Sequence, residues 1–159
     1  MRVAVDLREV MAQFASGVSV VTTLDPDGAP RGTTVSALTS VSLKPPLVLA
    51  CLGTKSRTLS ALRASGVFAV NVLAADQGGL AHAFASSGPK TVWDDLELFE
   101  GPTGSPLLRG ALAHVDCAVY SVSRAGDHDI VVGHVLHAEP GEDERDALVH
   151  FRRRLGPVA

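Results

Sequence analysis

Three stretches of this chain are dense enough in hydroxyls, cations or imidazoles to do chemistry. From Gly32 to Leu43, six hydroxyl residues fall within twelve positions: Thr33, Thr34, Ser36, Thr39, Ser40 and Ser42. Hydroxyls and exposed backbone amides are the donors that a ligand with many acceptors needs. A flavin, with its ring nitrogen, carbonyls and ribityl oxygens, is one such ligand. Ser and Thr alternating along a solvent-facing strand would give the same composition, so this stretch alone does not choose. The second stretch, Thr54-Lys55-Ser56-Arg57-Thr58, sets three hydroxyls and two cations where a helix is expected to begin. Unpaired amides and the positive end of the helix dipole favour an anion there. A phosphate fits, with Ser56 and Thr58 donating and Lys55 or Arg57 adding charge; an ordinary capped helix with solvated basic residues is the alternative. The third holds four of the six histidines: His114, His128, His134 and His137. On a strand, the odd spacing of His134 and His137 points them to opposite faces, which opposes a metal pair. His114 and Asp116 share a face, but one carboxylate with one imidazole is not a metal site, and none is expected. His128 differs, because it follows Gly126-Asp127 in a tight turn. There its imidazole can be presented into a cleft and oriented by Asp127.

The bulk numbers limit what these stretches can serve. The chain has 159 residues and a net charge of −3, with 46% hydrophobic residues, which excludes disorder over most of its length and suggests one domain, residues 1–159. No apolar run reaches the ~18–20 residues that span a bilayer. The first fourteen residues lack a basic region followed by an apolar one, so no signal peptide is expected. Cys51 and Cys117 lie too far apart for a CxxC pair or a thiolate zinc site and read as reduced thiols of a cytoplasmic protein. The one basic run, Arg152-Arg153-Arg154, reads as a solvated helix face, so nucleic acid is not an expected partner. No GxGxxG, P-loop, GxSxG or HExxH motif is present, which removes the usual nucleotide folds, hydrolases and zincins. One Trp, one Tyr and five Phe leave the core to Val, Leu and Ala, and leave a flat ligand few rings to stack on.

The elements that must position these residues follow from periodicity and punctuation. Asp6 and Glu9 form a capping box for a helix carrying Leu7, Val10, Met11 and Phe14, which Gly17 ends. Val18 to Leu24 is β-branched, and Asp25-Pro26-Asp27-Gly28 is a turn. A second extended run is expected from Ala29 to Leu43, stopped by Pro45-Pro46, and a short strand from Leu47 to Leu52. Ser56 caps a helix through Arg63 that Ser65-Gly66 ends. Val67 to Leu73 is a strand, Asp76 starts a helix with Leu80, Ala81 and Phe84, and Gly88 to Pro106 reads mostly as loop. Two long strands, Ala111 to Ser123 and Asp129 to Glu139, flank a turn at Arg124 to Asp127, and a final helix is expected from about Glu144 to Leu155. Six or seven strands without regular βα alternation favour an antiparallel barrel over a doubly wound sheet.

In order, these segments resemble the flavin reductase-like proteins of the FMN-binding split-barrel fold, especially the short reductase components of two-component flavin monooxygenases. The motifs that carry the resemblance are Phe14-Ala15-Ser16-Gly17-Val18 into Val20-Val21-Thr22-Thr23, then Gly32 to Ala37. Leu38 to Leu43 with Pro45-Pro46 follows, then Ser65 to Leu73, Leu80-Ala81 with Phe84-Ala85, and Gly126-Asp127-His128 with Ile130 and Gly133. The resemblance implies a mainly β, Greek-key-like antiparallel split barrel with short helices, assembled as a homodimer. It implies FMN or FAD against Thr34, Val35, Ser36 and Ala37, with Ser40 at the ribityl chain and Cys51 beside the ring. Ser56, Arg57 and Thr58 would take the phosphate. Gly126, Asp127 and His128 would face NADH or NADPH, with His128 the catalytic residue that helps position the donor. The implied reaction is hydride transfer to the flavin, which then leaves to serve a separate monooxygenase. Lys90 and Trp93 stand where related chains often have a basic and an aromatic residue. The tail, Leu148 to Leu155, lacks the Gly and Tyr that relatives often carry there. Two other readings are a non-catalytic flavin-binding protein (carrier, sensor or electron-transfer partner) and a split-barrel oxidase. The Gly126-Asp127-His128 turn favours the reductase, since a carrier needs no imidazole facing a nicotinamide.

Overall fold

The computed structural model describes residues 6–86 and 91–158; Lys90 lies outside them. Asp6 caps a short helix, α1 (Leu7–Met11), its carboxylate accepting from the Arg8 and Glu9 amides. The expected helix up to Gly17 is therefore shorter, and its apolar residues bury nothing within this chain. Gly17 belongs to β1 (Ser16–Gly17), after which β2 (Ser19–Leu24) and β3 (Pro30–Val35) form a hairpin. Its turn works as the sequence suggests: the Asp25 carboxylate accepts from the Asp27 and Ala29 amides, and Gly28 takes a φ of +81°.

The extended run expected over 29–43 is two strands, broken at Ser36-Ala37 before β4 (Leu38–Leu43). β4 ends before Pro45-Pro46 as expected, and Pro46 opens β5 (Pro46–Gly53). The first position of a strand tolerates a residue without an N–H. Ser56 caps α2 (Arg57–Ser65), and Gly66 ends it in the left-handed region at φ +74°, as the local signals predict. Next come β6 (Val67–Val72), a 3-10 turn over Ala75–Gln77 and α3 (Gly78–Ala85). The stretch expected to be mostly loop holds a second 3-10 turn, Thr91–Asp95, and a small ladder between β7 (Leu98–Glu100) and β8 (Pro106–Leu108). The two long strands are β9 (Ala113–Ala125) and β10 (His128–Pro140), paired antiparallel across Gly126-Asp127.

The expected C-terminal helix is absent. In its place β11 (Leu148–Phe151) and β12 (Arg154–Pro157) form a hairpin that also pairs with β1. Acidic residues followed by an Arg run imitate a helix with its charges matched to the dipole. What decides the local structure is Arg152 and Arg153, at φ 50° and 62°, a two-residue turn of the kind that reverses a strand. Leu148, fully buried with Val18, Val20, Leu73, Ala81, Phe84 and Leu108, pins the hairpin to the body. Burying such a side chain contributes about 1.5–3 kcal/mol.

The main sheet has seven strands in the order β3-β2-β6-β9-β10-β5-β4, with every pair antiparallel. Its two edges are β3 and β4, which only Ser36 and Ala37 connect. Laid flat, seven strands would put the edges ~29 Å apart, whereas three peptide steps reach at most about 11 Å. The sheet must therefore roll until its edges meet, with no ladder between them: a barrel split along β3 and β4. Inside lie Val21, Leu52, Leu62, Phe68, Val70, Cys117 and Val131. Gly133 makes room for Phe68, because a Cβ there would stand 2.5 Å from Phe68 Cζ. A second core lies outside the sheet under α3 and β11.

Candidate active site

The split and the β9–β10 turn bring three remote segments to one end of the barrel. Cys51, near the end of β5, donates its amide to the Ala37 carbonyl at 3.0 Å, which ties the crossing Ser36-Ala37 to β5. On the other side of β5, Cys51 pairs with Ile130 and Gly53 with His128. The chain then leaves the sheet, and the Thr54 amide donates to the Asp127 carbonyl at 3.0 Å. Three residues later α2 begins. Sheet register thus sets Ala37, Cys51, the α2 N-terminus and the Gly126-Asp127-His128 turn side by side, although they span ninety positions of sequence.

The α2 N-terminus carries donors of the kind that an anion site needs. Ser56 Oγ accepts from the Leu59 amide at 3.4 Å, while the Arg57 and Thr58 amides, first in the helix, have no acceptor within it. Ser56 is half-buried and Arg57 exposed, but Thr58 is only 3% exposed. Lys55 is exposed beside them.

The hydroxyl stretch divides sharply. Thr34 Oγ1 donates to the Ala81 carbonyl at 2.6 Å, so its proton is already committed to holding α3. Val35 is buried. Ser36 and Ala37 are exposed and open to a ligand, as is Ser40, which sits further along β4 opposite Val48. In the turn, His128 Nδ1 lies 2.8 Å from Asp127 Oδ1. A carboxylate can only accept, so Nδ1 carries the hydrogen and Nε2 is left free. That hydrogen bond and the His128 charge hold the Asp127 carboxyl below its usual range, and Arg8 adds to the effect.

Two of the other histidines are occupied elsewhere. His114 is buried with Nε2 2.9 Å from the Leu108 carbonyl, and His137 lies 3.3 Å from Glu139. Asp116 accepts from the Thr103 amide and hydroxyl. Trp93 packs edge-on against Phe84, ring centres 4.8 Å apart, and so belongs to the second core.

Sequence reasoning missed four positions at this end. Arg8, His150 and Arg153 line a cavity of about 440 Å³ together with Ser36, Ala37 and Phe14. Arg153 was hidden by reading its segment as a helix. Asp129, 1% exposed, is gripped by Arg63 at 2.5 Å and lies 2.8 Å from Arg124. Its signal was present: Asp129 shares the alternation of buried Val131, so it had to face inward.

Comparison with known proteins places this geometry. The family described as "Flavin reductase like domain" matches residues 11–159. A reductase subunit of a flavin-dependent monooxygenase, HsaB of Rhodococcus jostii, is 41% identical over 149 residues, covering 94% of this chain and 75% of its own length. Among solved structures, an NADH:FAD oxidoreductase of Streptomyces globisporus, described in complex with NAD and FAD fragments, superposes with a TM-score of 0.88 at 38% identity, covering 96% of this chain and 91% of its own. BorF, the flavin reductase component of a bacterial two-component tryptophan halogenase, gives 0.86 at 42% identity, covering 96% and 98%.

Proposed function

Because the chain belongs to the flavin reductase-like family and is an NAD(P)H-dependent flavin reductase, we propose that its reaction takes place at the end of the barrel where Ser36-Ala37, Cys51, the α2 N-terminus and His128 converge. FMN or FAD is the acceptor, NADH or NADPH the donor, and a monooxygenase receives the reduced flavin. Bound together, the two groups supply the chemistry themselves, a hydride passing from C4 of the dihydronicotinamide to N5 of the flavin. The chain's part is to hold and orient. Ser56 and the Arg57 and Thr58 amides would grip the flavin phosphate. Ser36 and Ala37 would meet the ring edge and Ser40 the ribityl chain, with Thr34 and Val35 fixing that backbone and Cys51 beside the ring. Gly126 and Asp127 shape the turn, and in the neutral imidazole the Nε2 of His128 can accept from an amide N–H such as the nicotinamide carboxamide.

The observation that supports this most is the β5–β10 register. It sets an imidazole with a fixed tautomer opposite Gly53, one short loop from an anion-ready helix terminus. Purified protein mixed with NADH or NADPH and free FMN or FAD should oxidise the dinucleotide only when flavin is present. No flavin-dependent loss of the dihydronicotinamide absorbance with any of the four pairings would refute the reading. His128→Ala should raise the dinucleotide KM more than it weakens flavin binding; an unchanged KM and rate would remove His128 from the site.

A homodimer is part of the same proposal. Leu7, Val10, Met11 and Phe14 around α1, Tyr120 and Leu136 on the long strands, and Leu43 (87% exposed) all face outward, and a second copy would cover them. A reducing, cytoplasmic setting accords with two unpaired thiols, Cys51 and Cys117; among the described residues no helix is long and apolar enough to cross a membrane.

A further inference from the structure

We propose that Arg8 and Arg153 form a second phosphate-binding subsite at the mouth of the flavin cleft, one that takes a phosphate of the adenylate half of a dinucleotide. The inference rests on reading Ser36-Ala37 as the flavin edge. Both arginines line the same cavity as those two residues, as does His150 of β11. They come from opposite ends of the chain: α1 delivers Arg8, and the β11–β12 turn delivers Arg153. Arg8 also lies near enough to the Gly126-Asp127-His128 turn for its charge to act on Asp127. The rim thus borders the flavin side of the cleft, and the charge of Arg8 is felt on the nicotinamide side.

The turn that presents Arg153 is costly. Two successive residues other than glycine hold positive φ, 50° at Arg152 and 62° at Arg153, a conformation that L side chains disfavour. Arg152 has local compensation. Its amide donates to the Ala12 carbonyl at 2.8 Å, its Nε to Gln13 Oε1 at 3.0 Å, and its guanidinium lies 4.9 Å from the Phe151 ring. Arg153 has no such compensation among the described residues, and neither it nor Arg8 has an ion-pair partner there. A strained backbone that holds an unpaired cation over a cleft fits a site built for an anion. The chain as a whole carries −3, so the positive potential here is local. The flavin phosphate already has Ser56 and the α2 amides. What remains for the rim is a phosphate that FMN lacks and that FAD and NAD(P)H both carry.

The test uses Arg153→Gly, which suits the positive φ and so preserves the turn, alongside Arg8→Gln. Flavin-fluorescence titrations give the FAD-to-FMN affinity ratio. Steady-state rates give the KM ratio of reduced nicotinamide mononucleotide to NADH. Loss of one charge-assisted contact should shift one of these ratios about tenfold in each variant. A shifted flavin ratio assigns the rim to the FAD adenylate, and a shifted nicotinamide ratio assigns it to the donor's adenylate. If both ratios stay within about twofold of the parent protein while flavin still binds, the subsite is overturned and the cleft stands. If the parent protein binds neither flavin, the cleft reading falls, and the subsite with it.

Discussion

Cys51 and Cys117 carry the same thiol in opposed settings, and the contrast makes the site testable one residue at a time. Cys117 is fully buried in the barrel core, and burial, aided by the neighbouring Asp116 charge, pushes its thiol up to about 12. At neutral pH it holds almost no thiolate, and no reagent reaches it. Cys51 is half-buried at the end of β5, where a flavin ring is proposed to lie. Native protein should therefore titrate one thiol with a chromogenic disulfide, Cys51→Ser should abolish that reaction, and denaturant should release the second. Saturating FAD should slow the labelling of Cys51. Two fast thiols in the native state would show the core to be open, and labelling indifferent to flavin would move the ring away from Cys51. The same scale shows what a residue's type alone conceals: Thr34 and Ser36 look equivalent in the sequence. One has given its proton to Ala81 and the other is open, because only the packing of α3 against β3 distinguishes them.

Among the elements, α2 makes the sharpest prediction, because its N-cap and its proposed ligand compete for one position. Asp is as good an N-cap as Ser and favours the positive helix end. Ser56→Asp should thus leave the melting temperature within a few degrees of the parent, since caps differ by only about 0.5 kcal/mol, while placing a fixed negative charge where a phosphate would sit. FMN affinity should fall at least tenfold, and riboflavin, which has no phosphate, should be affected far less. Equal losses for both flavins would mean that Ser56 acts on something other than the phosphate. α2 was legible in the sequence because Ser56 and Gly66 act through their own backbones. The β11–β12 hairpin was not, because its turn uses Arg152 and Arg153 where a left-handed conformation ordinarily signals Gly or Asn. The break between β3 and β4 was equally silent. Ser36 and Ala37 continue a strand-like pattern, and what interrupts it is the rolled sheet.

At the scale of the whole molecule, the strands could be read from their residues, but their order could not. Hairpins such as β2–β3 and β9–β10 announce themselves by their turns; the pairing of β10 with β5 joins segments some eighty positions apart and carries no local mark. Asp129 shows why that pairing is held firmly. From β10 it reaches Arg63 in the last turn of α2 and Arg124 at the end of β9, so one buried carboxylate fixes the helix of the proposed phosphate site against the hairpin that carries His128. The Arg63 hydrogen bond, with the charges of Arg124 and Arg63, holds its carboxyl below the ordinary 3.8 in spite of burial. A depressed folded value means that this contribution is complete above 3.8 and is lost as the pH falls through the lower, folded value. Asp129→Asn should remain folded, since both arginines are at least half exposed and can rehydrate, but it should melt below the parent at neutral pH. Thermal melts taken from neutrality down to about pH 2 should show the gap constant above 3.8 and narrowing beneath it, as the parent loses the charge that the variant never had. A gap that does not change with pH would mean that Asp129 acts by shape alone. A gap that widens in acid would reverse the sign and exclude the clamp.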